Sequence, residues 1–389
     1  MTVTKKNETC LALSGRIDSS NAAAVEQEIA ALLDGYAGAA LTIDADALEY
    51  ISSAGLRVLL RLRKRYADLE IVNVRSEVYE IFEMTGFTEM MRIAKAYRRI
   101  SVEGCEVIGR GANGEVYRID PDTVVKVYYN PDALPDIHRE RELARTAFVL
   151  GIPTAIPYDV VRVGDGYGSV FELLNAKSFA KLIAADPAGL DGYVRQFVDL
   201  MQLIHSTTVK PGVMPQMKAV ALDWADFLRE YLPEDAWRKL HDLIDAVPEQ
   251  LTMLHGDYHT KNVMLQNGEV ILIDMDTLCT GHPVFELASV YNAFVGFSEL
   301  DPEVAMAFQG FSRDTCHAIW DKTLRLYFDT DDEATLRARA EQAMLIGYTR
   351  LMRRTIRHKG FESKEGKRAI NCYRDHILDL LTRVDTLVW

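Results

Sequence analysis

The apolar pattern predicts an α/β unit over residues 1–97, a sheet with packed helices, followed by an α+β unit of two lobes over residues 98–389. In the first unit, short apolar runs alternate with segments of helical spacing. In the second, extended runs gather around a glycine-rich turn in a strand-rich lobe (about 98–174), and from Ser178 onward the spacing is mostly helical, giving a second lobe of about 175–389.

In order along the chain, residues 10–13 alternate like a strand, and residues 21–33 repeat Ala, Val, Ile and Leu at helical spacing. Residues 40–43 form a short apolar strand, 55–66 a second helix, 69–74 another strand and 77–84 a third helix. The short stretch 94–102 is the expected junction. Beyond it, residues 100–107 and 115–119 read as extended runs flanking the glycine-rich turn, with a third strand at 124–129. A helix is expected over 135–150 and an extended run over 168–174.

Composition narrows the function. The 389 residues are 48% apolar and 26% charged, the balance of a soluble globular protein of two or three domains. No apolar run approaches the roughly 20 residues of a membrane helix, and the polar start, residues 1–8, lacks the apolar stretch of a secretory signal. Five scattered cysteines (10, 105, 279, 316 and 372) never form CxxC pairs, which fits a reducing cytoplasm. Net charge is −13, and nearly all of it lies after residue 100, because the first 100 residues hold 13 Lys plus Arg against 14 Asp plus Glu. An acidic surface argues against non-specific nucleic-acid binding. It is compatible with cationic substrates, but a solvated acidic face is the commoner reason for such a charge.

Several segments carry chemistry. Gly109, Gly111, Gly114 and Val116 spell GxGxxGxV. Glycines let a backbone approach phosphates closely and take positive φ without strain. A plain hairpin turn uses the same spacing, but a strand at 115–119 after the glycines favours a loop lying over a nucleotide between two strands. Lys126, between Val125 and Val127, is costly on a central strand unless paired. It is expected to meet the α- and β-phosphates, with an edge-strand lysine facing water as the alternative. A glutamate of the following helix could hold it; the spacing favours Glu142 over Glu140. The polar loop of residues 254–265 then sits between apolar strands, and residues 270–276 deliver carboxylates at a strand end. Asp257 can accept a proton from a substrate hydroxyl or orient it. Asn262 follows five residues later, the spacing of base and metal-binding Asn in kinase catalytic loops. Asp274 offers hard oxygen to Mg2+.

These residues, HGDYHTKN at 255–262 with IDMD at 273–276, resemble the aminoglycoside phosphotransferase and choline-kinase group of protein-kinase-like enzymes, from about residue 100 to the C-terminus. The resemblance implies a two-lobed fold, ATP with Mg2+, and γ-phosphate transfer to a hydroxyl. It implies Asp257 as catalytic base, Asn262 and Asp274 as Mg2+ ligands, Asp276 assisting the metal, and His255 and His259 supporting the loop. It places adenine against the backbone of an inter-lobe hinge, residues 171–174, with Phe171, Glu172 and Leu174 as the contacts. After Gly281 to Pro283 the family usually has Asp-Leu-Ala; here Glu286-Leu-Ala288 stands instead, and a local adjustment is expected.

A basic stripe of Arg350, Arg353, Arg354 and Arg357, with Lys359 beyond it, falls on one helical face. It suits an anionic substrate or acidic partner better than an aminoglycoside cation; a solvated, salt-bridged face fits the same spacing.

In the first unit, residues 50–60, preceded by Leu13 to Asp18, resemble the STAS domains of anti-sigma factor antagonists over about residues 2–97. In that family a serine just before this helix is phosphorylated, and Ser53 aligns with it as a candidate phosphoacceptor. The preceding residue, often Asp, is Ser52 here. A plain serine cap explains the same pair. Arg57, Arg61, Lys64 and Arg65 on the helix could meet an acidic partner.

The expected protein is therefore a cytoplasmic kinase of a small-molecule or protein hydroxyl, with the STAS-like unit for regulation or partner binding. Ser53 is a possible acceptor of the attached kinase, since tethering raises effective concentration. No nucleic-acid or membrane partner is expected. The alternative is a STAS–pseudokinase signalling module that binds nucleotide and acts by protein contacts. Aminoglycoside resistance is a third reading, which the STAS fusion and the arginine stripe disfavour.

Overall fold

The computed structural model describes residues 1–111 and 113–389; Ala112, within the glycine-rich stretch, lies outside them. The chain divides into two compact units, Met1–Ser101 with Val160–Asp165, and Val102–Asp159 with Gly166–Trp389.

The first unit is built from β1 (Thr2–Asn7), β2 (Cys10–Ile17), α1 (Ala22–Leu32), β3 (Ala40–Ile51), α2 (Ser53–Arg65), β4 (Asp68–Val74), α3 (Ser76–Met84), the short α4 (Phe87–Met90), β5 (Arg92–Lys95) and β6 (Arg98–Ile100). Strands β1 to β5 lie side by side in chain order. β1 runs antiparallel to β2, and the remaining neighbours are parallel. The core joins Leu11, Ile43 and Ile71 of the sheet to Ile29, Leu59 and Phe82 of the helices.

Two features depart from the sequence reading. β3 runs to Ile51 rather than stopping at Ile43, because the buried Asp44 is compensated by Lys6 and by the Asn73 side chain, whose Nδ2 donates at 3.0 Å. β1 carries too many polar residues to show alternation, as an edge strand can.

The second unit begins with β7 (Glu106–Arg110), β8 (Gly114–Asp120), β9 (Thr123–Tyr128) and α5 (Leu134–Val149). The run expected over 100–107 is broken by a turn in which the Cys105 N–H donates to the Val102 carbonyl. β10 (Asp159–Val163) pairs in parallel with β6, which groups Val160–Asp165 with the first unit. β11 (Gly166–Glu172) is antiparallel to β9, β9 to β8, and β8 to β7.

Then follow β12 (Lys177–Ser178), α6 (Phe179–Ala185), α7 (Leu190–Ser206), α8 (Met217–Phe227), α9 (Glu234–Asp245) and β13 (Met253–Leu254). β14 (Val263–Gln266) and β15 (Glu269–Leu272) form a hairpin. β16 (Cys279–Thr280), α10 (Val284–Phe294), α11 (Glu303–Gln309), α12 (Arg313–Phe328), α13 (Glu333–Arg357) and α14 (Lys364–Leu380) complete the unit. α10 is buried along its whole length and packs with α13 and α7 in one apolar core. Among the described residues, no helix is long and apolar enough to cross a membrane.

Candidate active site

A cleft of about 750 Å3 in the second unit is lined by Gly109, Gly111, Gly114, Val116, Lys126, Glu140, the 171–174 segment, Asp257, Asn262, Asp274 and Asp276. It thus gathers every residue singled out for phosphate, metal and adenine except Glu142.

The glycine-rich turn joins β7 to β8, with the Gly111 N–H donating to the Gly114 carbonyl at 2.9 Å. None of Gly109, Gly111 and Gly114 has a positive φ, so the freedom expected of them is not used here. What Gly114 supplies is space. A Cβ on Gly114 would lie 2.2 Å from the Val127 carbonyl oxygen of β9, whereas Gly109 and Gly111 meet nothing nearer than 3.7 Å. Asn113 in this turn donates to the Asp276 carboxylate at 3.0 Å.

Lys126 sits on β9 opposite Val116 of β8. Its ammonium lies 3.1 and 3.2 Å from the two Glu140 oxygens and 3.1 Å from Asp274 Oδ1. The pairing with Glu140 corrects the preference for Glu142. On α5, Glu140 shares the buried face of Ile137, Leu143, Ala144 and Ala147, and is 5% exposed; Glu142 points to solvent. Tyr128 donates its hydroxyl to Glu140 Oε2 at 2.6 Å. Burial opposes the charge on Lys126, but the Asp274 and Glu140 carboxylates outweigh it and hold the ammonium well above its ordinary pKa.

The 255–262 loop is held from beneath. Tyr258 is fully buried and donates to the Phe197 carbonyl at 2.7 Å. The buried Glu286 carboxylate accepts from the His255 and Gly256 N–H groups, so the longer side chain in place of Asp reaches the loop directly. Arg350 Nη1 and Ser289 Oγ both donate to the Gly256 carbonyl, at 3.1 and 3.2 Å. The His255 ring accepts from the Asp257 N–H at 3.3 Å, which leaves Nε2 to donate to the Ile273 carbonyl at 3.1 Å. Likewise His259 Nδ1 accepts from the Lys261 N–H, so its Nε2 carries the proton that faces Asp257 at 3.5 Å. Burial alone would raise the Asp257 pKa. The His259 hydrogen bond, then the electrostatic pull of the His259 ring, the Arg350 guanidinium and the His255 ring, bring it down to about 2.

Asn262 donates Nδ2 to the Asp257 carbonyl at 3.0 Å, and its own carbonyl accepts from the Ile273 N–H. Because Nδ2 is committed, the amide oxygen is the end left to meet a cation. Asp274 takes a left-handed backbone conformation, φ 65°, of the costly kind that gathers at functional sites. Asp276 is pushed above the usual carboxylate range by burial and by the charge of Asp274, with Lys126 opposing. Two carboxylates and an amide oxygen form a hard-oxygen donor set that fits a divalent cation such as Mg2+.

At the end of β11, the Leu173 N–H donates to the Asp122 carbonyl at 2.8 Å and the Phe171 carbonyl accepts from the Tyr158 hydroxyl at 3.3 Å. Phe171, Glu172 and Leu174 line the same cleft. In the first unit, Ser52 caps α2, accepting from the Gly55 N–H at 3.5 Å, and Ser53 opens the helix as an exposed residue.

Sequence reasoning missed the loop support from Arg350, the Asn113 contact to Asp276, and Lys261, which lines the cleft with Phe308. Arg350 lies 94 residues from its partner Gly256, beyond any local pattern.

A strand-rich lobe and a helical lobe around a cleft with this Lys–Glu–Asp set define a protein-kinase-like phosphotransferase fold. The chain belongs to the phosphotransferase enzyme family, which it matches over residues 104–324, and residues 1–93 match the Mlab STAS domain family. BtrV of Bordetella bronchiseptica, assigned as an anti-sigma factor antagonist, is 36% identical over 88 residues, which are 22% of this chain and 75% of BtrV. Among solved structures, a thermostable mutant of aminoglycoside phosphotransferase APH(4)-Ia in ternary complex with AMP-PNP and hygromycin B is similar in fold at TM-score 0.51 and 12% identity, over 72% of this chain and 93% of that one. A ternary complex of another such mutant with ADP and hygromycin B gives TM-score 0.50 at 13% identity, over 78% and 97%.

Proposed function

We propose that the second unit transfers the γ-phosphoryl group of ATP, bound with Mg2+, to a hydroxyl acceptor, and that the STAS unit serves regulation or partner binding. The observation that carries this is the meeting of Lys126 with Asp274, 148 residues apart, at 3.1 Å in the cleft that also holds Asp257.

In this reading the 109–114 turn lies over the phosphates, Lys126 meets the α- and β-phosphates, and Glu140 holds Lys126 extended. Phe171, Glu172 and Leu174 border the adenine. Asn262, Asp274 and Asp276 hold the metal, which when bound neutralises charge on the β- and γ-phosphates. Asp257 orients the acceptor hydroxyl: the acceptor oxygen forms a bond to the γ-phosphorus, the bond to the β-phosphate oxygen breaks, ADP leaves and the hydroxyl proton passes to Asp257. A carboxylate with so low a pKa stays ionised, ready to accept the hydroxyl hydrogen bond, and takes the proton late, as the new bond forms.

The exposed Ser53 hydroxyl stands where helix N–H groups and the helix dipole would stabilise a phosphate, which supports a phosphorylation switch in the STAS unit. The direct test is MgATP turnover by wild type and Asp257→Ala, followed by mass spectrometry of Ser53. A loss of about 10²-fold or more in the variant is expected; equal turnover removes Asp257 from its role.

A further inference from the structure

The surroundings of Asp257 are rich in cations that the protein leaves without carboxylate partners. Several basic groups of the second unit are engaged by carboxylates: Arg325 by Asp321, Asp331 and Glu333, Arg383 by Glu341 and Asp379, and Arg353 by Asp223. Lys261 and Arg354 differ. Lys261 lines the cleft beside Asp257 and His259, with its ammonium 4.9 Å from the centre of the Phe308 ring. The guanidinium of Arg354 lies 5.3 Å from the centre of the Phe297 ring. The two rings meet edge to face at 5.7 Å, and His259 packs on Phe308 at 5.2 Å. One aromatic pair therefore carries both cations and reaches back to the loop of Asp257. Among the described residues neither cation has a carboxylate within 4 Å, and Arg350 has only Asp257, at 3.9 Å.

Lys261 and Arg354 are both exposed, so each cation stays open to a charge-assisted contact with an incoming anion. In a chain of net charge −13, carboxylates to neutralise these groups are plentiful, yet none is placed there. The arrangement is open to a negative charge arriving from outside, and it disfavours a polycation such as hygromycin B.

We propose, building on the phosphotransfer reading above, that the acceptor is a hydroxyl compound bearing a carboxylate or phosphate, which Lys261 and Arg354 hold beside the Phe297–Phe308 pair while its hydroxyl faces Asp257. The edge-to-face rings offer an apolar floor, and the cations offer charge-assisted hydrogen bonds.

The test uses the full chain saturated with Mg2+ and AMP-PNP, so that phosphate-binding groups of the nucleotide site are filled. Sodium sulfate, sodium acetate and hygromycin B are each titrated at constant ionic strength and followed by thermal shift. Saturable stabilisation by sulfate or acetate is expected, the better of the two separating a phosphate-like from a carboxylate ligand. Lys261→Gln and Arg354→Gln each weaken it about tenfold, the scale of one lost charge-assisted contact. Stabilisation by hygromycin B instead, no response to either anion, or equal anion binding by the variants overturns the proposal. Anion binding that appears only without nucleotide also overturns it, because Lys261 would then be serving the γ-phosphate. Failure of AMP-PNP itself to stabilise wild type strikes the nucleotide reading instead, and the anion titration on nucleotide-free protein still decides the subsite.

Discussion

Glu140→Gln exchanges one carboxylate oxygen for an amide group of nearly the same shape and removes a buried charge. The carboxylate receives Lys126 at 3.1 and 3.2 Å and Tyr128 at 2.6 Å. At an effective dielectric of about 20, a pair of charges at this separation attracts by about 5 kcal/mol. Lys126 keeps Asp274 at 3.1 Å, so the ammonium is not left alone. Glutamine also still offers one oxygen, for which Lys126 and Tyr128 compete. The net loss expected is about 2–3 kcal/mol, toward the lower end for breaking a buried pair. For a unit of this size that lowers the melting temperature by about 4–10 °C. With Lys126 no longer held from the α5 side, turnover of MgATP falls by about 10²-fold, the cost of a misplacement of roughly 1 Å. Glu142→Gln, on the solvent face of the same helix, changes stability by less than about 0.5 kcal/mol. Thermal melts and ATP turnover on both variants decide the matter. If Glu140→Gln melts and turns over like wild type, or Glu142→Gln loses as much, the role assigned to Glu140 is wrong.

Two further outcomes follow from the loop and its surroundings. Gly256 has φ 82°, and a Cβ there would lie 2.5 Å from the Thr277 carbonyl oxygen; Gly256→Ala should cost about 2–3 kcal/mol in a urea melt and displace the adjacent Asp257, so unchanged turnover would contradict the site geometry. His282 is buried against Trp389, and burial first, then the charges of His205 and Arg339, lower its pKa from 6.5 to about 4. The unfolded chain therefore binds its proton first as pH falls, and stability is lost between about pH 6.5 and pH 4. The loss from this group is about 2 kcal/mol between pH 8 and pH 5, read as the part of the urea-midpoint shift that disappears in His282→Gln.

Much of the architecture was legible along the chain. Strands and helices of the first unit showed in the alternation of residues 10–84, because each element buries one face and the period of burial is written locally. The polar loop 255–262 stood out for the opposite reason: many polar groups between two apolar strands have no packing explanation. Less visible were β1, whose polar residues belong to a sheet edge, and the continuation of β3 past Asp44, which depends on Lys6 and Asn73 arriving from other strands. The glycines of the 109–114 turn were read as a loop free to take positive φ and approach phosphates; the structure itself requires glycine only at Gly114, for close approach to β9 rather than for positive φ.

The amino-acid sequence by itself determined the order of the two units, the family resemblance of each, and a set of polar side chains, Glu140 apart, that the structure gathers in one cleft, since residue type and short-range spacing are sufficient for that. Only the tertiary structure decided between Glu140 and Glu142, because two residues apart on a helix differ by more than half a turn of facing, and the apolar pattern of α5 is too weak to set its phase. It alone placed Arg350 beneath Gly256 and left Lys261 and Arg354 without carboxylates. Such pairings join residues tens to hundreds of positions apart, and the energy that selects them comes from packing and burial in three dimensions, which leaves no periodic trace along the chain.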